Sequence, residues 1–215
     1  MISISSFSWV PDFAKGQVRD LRVRWALEEA GLPYQARPLE QGDQDQPEYR
    51  TLQPFGQVPV FQEDELVLFE SGAIVLHLGE DCETLLPKDK SARARAQQWV
   101  VAALNSVEPF IMNVALIELF YADEEWAKLR RPGAIEFMQK RLAAVAKALG
   151  DQPYLDGDQF TAGDLLMSSV LRILEMLPNT GGLDPQLIAY VERCTQRPAF
   201  KRALAAHLND FKEAA

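Results

Sequence analysis

The stretch Gln53-Pro54-Phe55-Gly56-Gln57-Val58-Pro59-Val60-Phe61-Gln62 (QPFGQVPVFQ, 53–62) places a proline where a strand should begin. Val58, Val60 and Phe61 favour a strand, but Pro59 has no N–H to give to a sheet. Proline in a sheet is confined to a strand's first residue, an edge or a bulge. Two arrangements satisfy the sequence. Either Pro59 is trans and simply begins the strand, or the Val58–Pro59 bond is cis at a tight turn. In the second case the N–H and C=O of Val58 stay unpaired. They can then take up an extended, peptide-like ligand as a sheet takes up an added strand.

Reading outward from this stretch gives an α/β segment. Residues 58–62 and 66–68 form two short strands around the acidic turn Glu63-Asp64-Glu65, and a helix follows over 71–79. Upstream, ISISSF (2–7) alternates as a strand does. A loop over 8–16 contains Pro11 and Gly16, and a helical pattern runs over 17–30. Gly31 after the last turn, with Pro33 beyond it, is a helix stop. Residues 34–39 read as a second strand, followed by a polar loop over 40–47 and a short helix. Beyond Pro87 the chain reads as helix alone. Helices are expected over 89–121 with a bend at Pro109, over 132–149, 161–177 ahead of Pro178, 184–196 and 198–212. Thr161-Ala162-Gly163-Asp164 has capping-box spacing, with Asp in the last position. The chain therefore divides near residue 85, into an α/β domain (1–82) and an all-helical domain (88–215).

Composition excludes several functions. Of 215 residues 47% are hydrophobic, which rules out a disordered chain. The net charge is -9, and it is uneven: residues 1–80 carry 6 basic and 13 acidic side chains, against 16 and 18 in the remainder. Such a field repels polyphosphates, so no nucleic-acid partner is expected. Cys82, Cys194, His77 and His207 lack metal-ligand spacing, so no metal is expected. The most apolar run, 99–121, is interrupted by Asn105, Ser106, Glu108, Pro109, Asn113 and Glu118, so no membrane span is expected. The first residues lack the basic start and apolar run of a signal peptide, so the reading is of a soluble, cytoplasmic protein.

Two further segments can carry chemistry. Phe69-Glu70-Ser71-Gly72 is a strand-to-helix junction with Ser71 as the expected N-cap. Its hydroxyl and the free N–H groups of the first turn suit a carboxylate, while Glu70 suits an ammonium. Together they fit an α-amino-acid headgroup, although a plain cap beside a solvated glutamate satisfies the same residues. In the helix over 17–30, Val23, Ala26, Leu27 and Ala30 form one apolar stripe, and Leu21, Trp25 and Val18 form another. Two stripes indicate a helix sandwiched between layers. Arg19 lies one turn before Val23, where it either meets an anion or snorkels to solvent.

QPFGQVPVFQ followed by FESGAIVLHL, with VRWALEEAGLPY upstream and FTAGDLLM and RPAFKRAL downstream, resembles the glutathione S-transferase family, in its bacterial cytosolic type. The resemblance implies a thioredoxin-like N-terminal domain, an all-helical C-terminal domain and a homodimer. It implies a cis Pro59, with Val58 pairing with the cysteinyl backbone of glutathione. Glu70 and Ser71 would hold the γ-glutamyl end, and Gln57 the glycyl end. Glutathione would be a co-substrate whose thiolate attacks a small hydrophobic electrophile. Related glutathione reactions (peroxide reduction, dehalogenation, isomerisation) and a non-catalytic binding role are the alternatives.

A free thiol has a pKa of about 8.5, so the protein must stabilise the thiolate. The resemblance implies a Tyr, Ser or Cys near the first strand's end or the first helix's start. Here the Ser/Cys position falls at Arg19 or Asp20 and the Tyr position near Phe7 or Ser8, and no Tyr or Cys is at hand. The remaining stabilisers are Arg19, then Ser8 and Trp9, with the N–H groups of the first turn. Asp20 would oppose a thiolate and is expected to point elsewhere. Phe13, Met112, Leu116 and Phe120, with Trp9, are the candidate walls of an acceptor pocket between the two domains.

Overall fold

The structure is a computed structural model that describes residues 1–177 and 179–211. Its first unit holds a four-stranded sheet in the order β2-β1-β3-β4. Strand β1 (Ile2–Phe7) runs parallel to β2 (Tyr34–Leu39) and antiparallel to β3 (Val60–Glu63), which pairs antiparallel with β4 (Leu66–Phe69). Helices α1 (Asp20–Ala30), α2 (Pro47–Leu52) and α3 (Ser71–Gly79) complete the α/β part. This is the thioredoxin-like arrangement followed by helices that the sequence implies.

The alternation in ISISSF suggests one wet face, but Ser3, Ser5 and Ser6 are all buried. Both faces of β1 are covered, and the buried hydroxyls find partners on opposite sides. Ser5 meets Tyr49 of α2, and Ser6 donates to Asp210 just beyond the last helix. The expected strand at 58–62 begins only at Val60. The expected helix at 17–30 begins at Asp20, because the preceding residues close tight turns: Leu21 N–H donates to Val18 O and Arg22 N–H to Arg19 O.

Helix α1 is buried on every side from Asp20 to Leu27. It packs on α3, on β1 and on α9 (Pro198–Asn209), so the sandwiched helix of the two-stripe pattern is observed. Trp25 meets Phe200 edge-on, with ring centroids 4.8 Å apart. A chain of charges runs beside this contact. Arg24 Nε donates to Asp20 Oδ2 at 2.8 Å, and its other end pairs with Asp210. His207 Nδ1 lies 3.1 Å from the same Asp20 oxygen. Burial works against the Arg24 charge, but Asp20 and Asp210 outweigh it and hold its pKa above the usual value. Nearer the surface, Glu29 grips Arg197 through two bonds of 2.6 and 2.7 Å.

The contacts group the chain differently from the division near residue 85. The first compact unit comprises Met1–Pro87 together with the chain from Gln196 onward, and the second is Lys88–Thr195. The last helix is placed with the helical domain by its position in the sequence, but its buried face belongs to α1. The expected end of that helix at 212 lies outside the described residues, as does Pro178.

In the second unit, α4 (Lys90–Val101) passes through a π-helical turn (Ala102–Val107) into α5 (Glu108–Phe120). The wide turn precedes Pro109, which has no N–H to continue the ladder, and Glu108 N–H reaches back to Ala103 O. Helix α6 (Glu125–Leu149) begins a full two turns before the expected residue 132, anchored by the buried Ala127, and carries Pro132 in its interior. Helices α7 (Ala162–Arg172) and α8 (Pro185–Thr195) follow. The capping box of α7 is formed, and the buried Asp164 also accepts from Leu155 N and Tyr190 Oη, both at 2.9 Å. The run Lys90–Phe120 is long and apolar enough to cross a bilayer by composition. Its apolar face, including Val100, Ile111 and Val114, is buried against α6 and α7 as a bundle core.

Replacing Arg24 by Met removes the cation shared by Asp20 and Asp210 and leaves them only His207 and the Ser6 hydroxyl, and breaking a buried pair in this way costs about 3–5 kcal/mol. Urea unfolding of Arg24→Met should show a loss of that order. A loss below ~1 kcal/mol would show that the charges do not hold α9 to α1.

Candidate active site

The sheet register brings the candidate residues of the first unit together. Val60 pairs with Phe69, so the chain before Val60 and the chain after Phe69 leave the sheet at one end. Ile4 pairs with Phe61, so that end is also where β1 finishes and the loop to α1 starts. The Gln57–Pro59 segment, the Glu70-Ser71 junction, and the start of the Ser8–Arg19 connection thus share one edge.

At this edge the Val58–Pro59 bond is cis. Neither the N–H nor the C=O of Val58 has a hydrogen-bond partner among the described residues. Gln57 is exposed beside it. Opposite, Glu70 turns the chain out of β4 with φ 69° and ψ 111°, a conformation sparsely populated by residues other than glycine. This sharp exit makes Glu70 the N-cap of α3, not Ser71 as expected, and Ser71 becomes the first helical residue. The N–H groups of Ser71, Gly72 and Ala73 have no partner among the described residues, and they point out of the helix start. The edge therefore offers an unpaired amide, free helix-terminal N–H donors, a hydroxyl and an exposed carboxylate.

The thiol-activating candidates separate. Arg19 is half-buried at the N-cap of α1. Trp9 is exposed. Ser8 is buried, and its only hydroxyl proton goes to Glu40 Oε2 at 3.0 Å, so it has none to give a thiolate. The N–H groups of Leu21 and Arg22 are consumed by the turns before α1. Asp20 turns away from this edge onto Arg24 and His207. Burial raises the Cys194 thiol to about 12, which leaves it protonated. No group of His, Cys, Asp and Glu placed to hold a metal occurs among the described residues. Of the acceptor-pocket candidates, Phe13 is an exposed side chain of the first unit. Met112, Leu116 and Phe120 follow one another at four-residue spacing along α5 in the second.

The sequence did not single out the residues that hold this edge from beneath. Arg22 is buried in α1, and its Nη1 donates to Ser71 Oγ at 3.4 Å. Tyr49 of α2 donates its hydroxyl to Gln57 O at 2.7 Å. Arg50 donates to Pro54 O at 3.0 Å. Their type gave no signal, because an arginine or tyrosine at a helical surface position is usually solvated.

Comparison with known proteins agrees with this geometry. Residues 13–80 match the model of the glutathione S-transferase N-terminal domain and residues 117–198 that of the C-terminal domain. The chain belongs to the glutathione S-transferase family. Within the family it is 30% identical over 199 residues to the maleylacetoacetate isomerase of Pseudomonas aeruginosa, covering 88% of this chain and 92% of that protein. It is 28% identical over 199 residues to glutathione S-transferase 3 of Zea mays, covering 86% and 88%. Among solved structures, the theta class glutathione S-transferase of Xanthomonas axonopodis pv. citri, with glutathione bound, is similar at a TM-score of 0.76. It is 28% identical, over 94% of this chain and 96% of that one.

The conformation of Glu70 has a measurable cost, since such backbone strain amounts to about 1–3 kcal/mol. Glycine relieves it while adding about 0.5–1 kcal/mol of unfolded-chain entropy. Glu70→Gly should therefore unfold in urea at a concentration equal to or above that of the wild type. A clear fall in the midpoint would contradict the strain at this position.

Proposed function

We propose that this protein is a glutathione transferase that binds glutathione at the β3–α3 edge and activates its thiolate for attack on a hydrophobic electrophile. The observation that carries this reading is the unpaired amide of Val58 at the same end of the sheet as the free start of α3. The cysteinyl backbone of glutathione would pair with Val58. The γ-glutamyl carboxylate would lie on the Ser71 hydroxyl and the N–H groups of Ser71 and Gly72, with its ammonium on Glu70. Gln57 would meet the glycyl carboxylate.

Each charge of the ligand is then answered by a group of opposite character. Arg22 donates to Ser71 Oγ, so the Ser71 proton is directed outward, toward an incoming carboxylate. Arg19 remains the first candidate to stabilise the thiolate, with the Trp9 indole N–H second. A fixed guanidinium favours the anion over the thiol by charge alone, and it cannot lose its proton at neutral pH. On α5 the half-buried Met112 and the exposed Leu116 and Phe120 would take the hydrophobic acceptor. The exposed apolar edge of Phe55, Leu66, Val67 and Phe69 supports a homodimer.

A second reading, isomerisation through a glutathione adduct, is supported by the 30% identity to the maleylacetoacetate isomerase. The two differ in whether glutathione is consumed.

The test is retention on immobilised glutathione, followed by titration of the bound thiol through thiolate absorbance. The wild type should bring the thiol below its free pKa of about 8.5. Arg19→Ala should raise it by about one unit, equivalent to ~1.4 kcal/mol of lost anion stabilisation. An unchanged value removes Arg19 from the role. Retention without turnover of aryl halides, peroxides or cis-enoyl diketo acids would establish a binding protein in place of an enzyme.

A further inference from the structure

The cis-proline segment is held open by a hydrogen-bond chain whose direction is fixed. Tyr49 Oη lies 2.7 Å from Gln57 O and 2.7 Å from Ser5 Oγ, and Val60 N–H donates to Ser5 Oγ at 2.7 Å. The Gln57 carbonyl has no proton, so Tyr49 must donate to it. The Tyr49 hydroxyl then has only lone pairs for Ser5, so Ser5 donates to Tyr49. Ser5 in turn accepts from Val60. Every proton in the chain therefore has one place: Val60 N–H to Ser5 to Tyr49 to Gln57 C=O. Both side chains are buried, and burial raises the pKa of Tyr49, which keeps it a donor.

The ends of this chain are the two backbone groups that flank Val58-Pro59. Continued past Ile4–Phe61, the β1–β3 ladder would pair Ser5 with Val60 and Phe7 with Val58. The ladder stops because the Ser5 side chain takes the Val60 N–H, and because Pro59 has none to give. The amide of Val58 is left unpaired as a result. Arg50, the residue after Tyr49, secures the other limb of the loop. It donates to Pro54 O, and its guanidinium fills the space under Gly56, where an added Cβ would lie 2.6 Å from Cζ. The short helix α2 thus grips the loop at Pro54, Gly56 and Gln57, just ahead of Val58, while Ser5 of β1 holds Val60 behind it.

We propose that Tyr49 and Ser5 are positioning residues for glutathione: they hold Gln57 and Val60 so that the Val58 amide is presented to the cysteinyl backbone of the ligand. This rests on the glutathione reading above. Neither residue is placed to touch the thiol, so they should act on glutathione affinity and not on thiol activation.

The test compares the full-length wild type, Tyr49→Phe, Ser5→Ala and the double variant. Glutathione affinity is measured by calorimetry, bound-thiol pKa by absorbance, and stability by thermal unfolding. Tyr49→Phe removes one oxygen and should raise the glutathione Kd about tenfold, the size expected when a buried hydrogen bond is lost. The thiol pKa should stay unchanged. Ser5→Ala should do the same through the other end of the chain. The double variant should be little worse than either single one, because all interrupt one network. Glutathione Kd unchanged in both folded single variants, with only a lower unfolding temperature, would overturn the proposal while leaving the glutathione reading intact. A wild type that does not bind glutathione would overturn both.

Discussion

A sheet that binds a peptide-like ligand must stop pairing with itself at the right residue. In this protein the β1–β3 ladder ends at Ile4–Phe61, and the next backbone groups are satisfied by side chains instead of by the neighbouring strand. A buried backbone N–H or C=O without a partner costs about 1–3 kcal/mol, so the chain cannot simply leave them empty. Satisfying Val60 and Gln57 from Ser5 and Tyr49 meets that demand and still leaves Val58 open. Much of the local sequence follows from this requirement. It accounts for a serine in a buried strand, a tyrosine on a two-turn helix, and a proline at the strand's mouth.

Helix α1 links this edge to the rest of the unit. Its outer end presents Arg19 and sends Arg22 to Ser71, while its buried side sends Asp20 and Arg24 to α9. A helix carrying three charged residues in its first two turns would be unstable in an apolar interior unless each charge were met. Asp20 meets Arg24 and His207, Arg24 also meets Asp210, and Arg22 meets Ser71. Hydrophobic contact alone would allow α1 to slide or turn against its neighbours. Directional bonds to α3 and to α9 with its C-cap fix its rotation, and with it the position of both arginines relative to the start of α3.

The legible part of the molecule was the part governed by local rules. Gly31 ended α1 where its φ of 67° requires a residue tolerant of the left-handed region, and Thr161-Ala162-Gly163-Asp164 started α7, while Pro59 by itself allowed a trans strand start or a cis turn and only the family resemblance implied the turn. The glutathione S-transferase resemblance followed from motifs carrying the same local features. What escaped reading was long-range. Asp20 and Arg24 carry charges that ordinarily face water, and their partners His207 and Asp210 lie 187 and 186 residues away, while Arg22 meets Ser71 at a separation of 49. Tyr49 and Ser5 are 44 residues apart and carry no shared spacing. The Ser8 hydroxyl gives its proton to Glu40, 32 residues away in the chain, a pairing that no local pattern signals. Helix α9 followed the helical segment in sequence but not in packing, because its apolar face matches Trp25 and not the bundle.

The acidity of the first half of the chain sets the electrostatic problem that the proposed chemistry must solve. Thirteen acidic side chains in residues 1–80 would disfavour an anionic thiolate if all acted at full strength. They do not, because exposed charges farther than a Debye length of about 8 Å are largely screened at physiological salt. Asp20, the acid nearest in sequence to Arg19, is neutralised within the buried cluster, and Glu40 is turned onto Ser8. A guanidinium within about 4 Å of an anion, by contrast, contributes ~4 kcal/mol at the effective dielectric near a protein surface. That exceeds the ~1.4 kcal/mol needed for each unit of thiol pKa. One arginine placed that close would therefore outweigh the bulk charge, and the pairing of Asp20 with Arg24 and His207 keeps the adjacent carboxylate from opposing it.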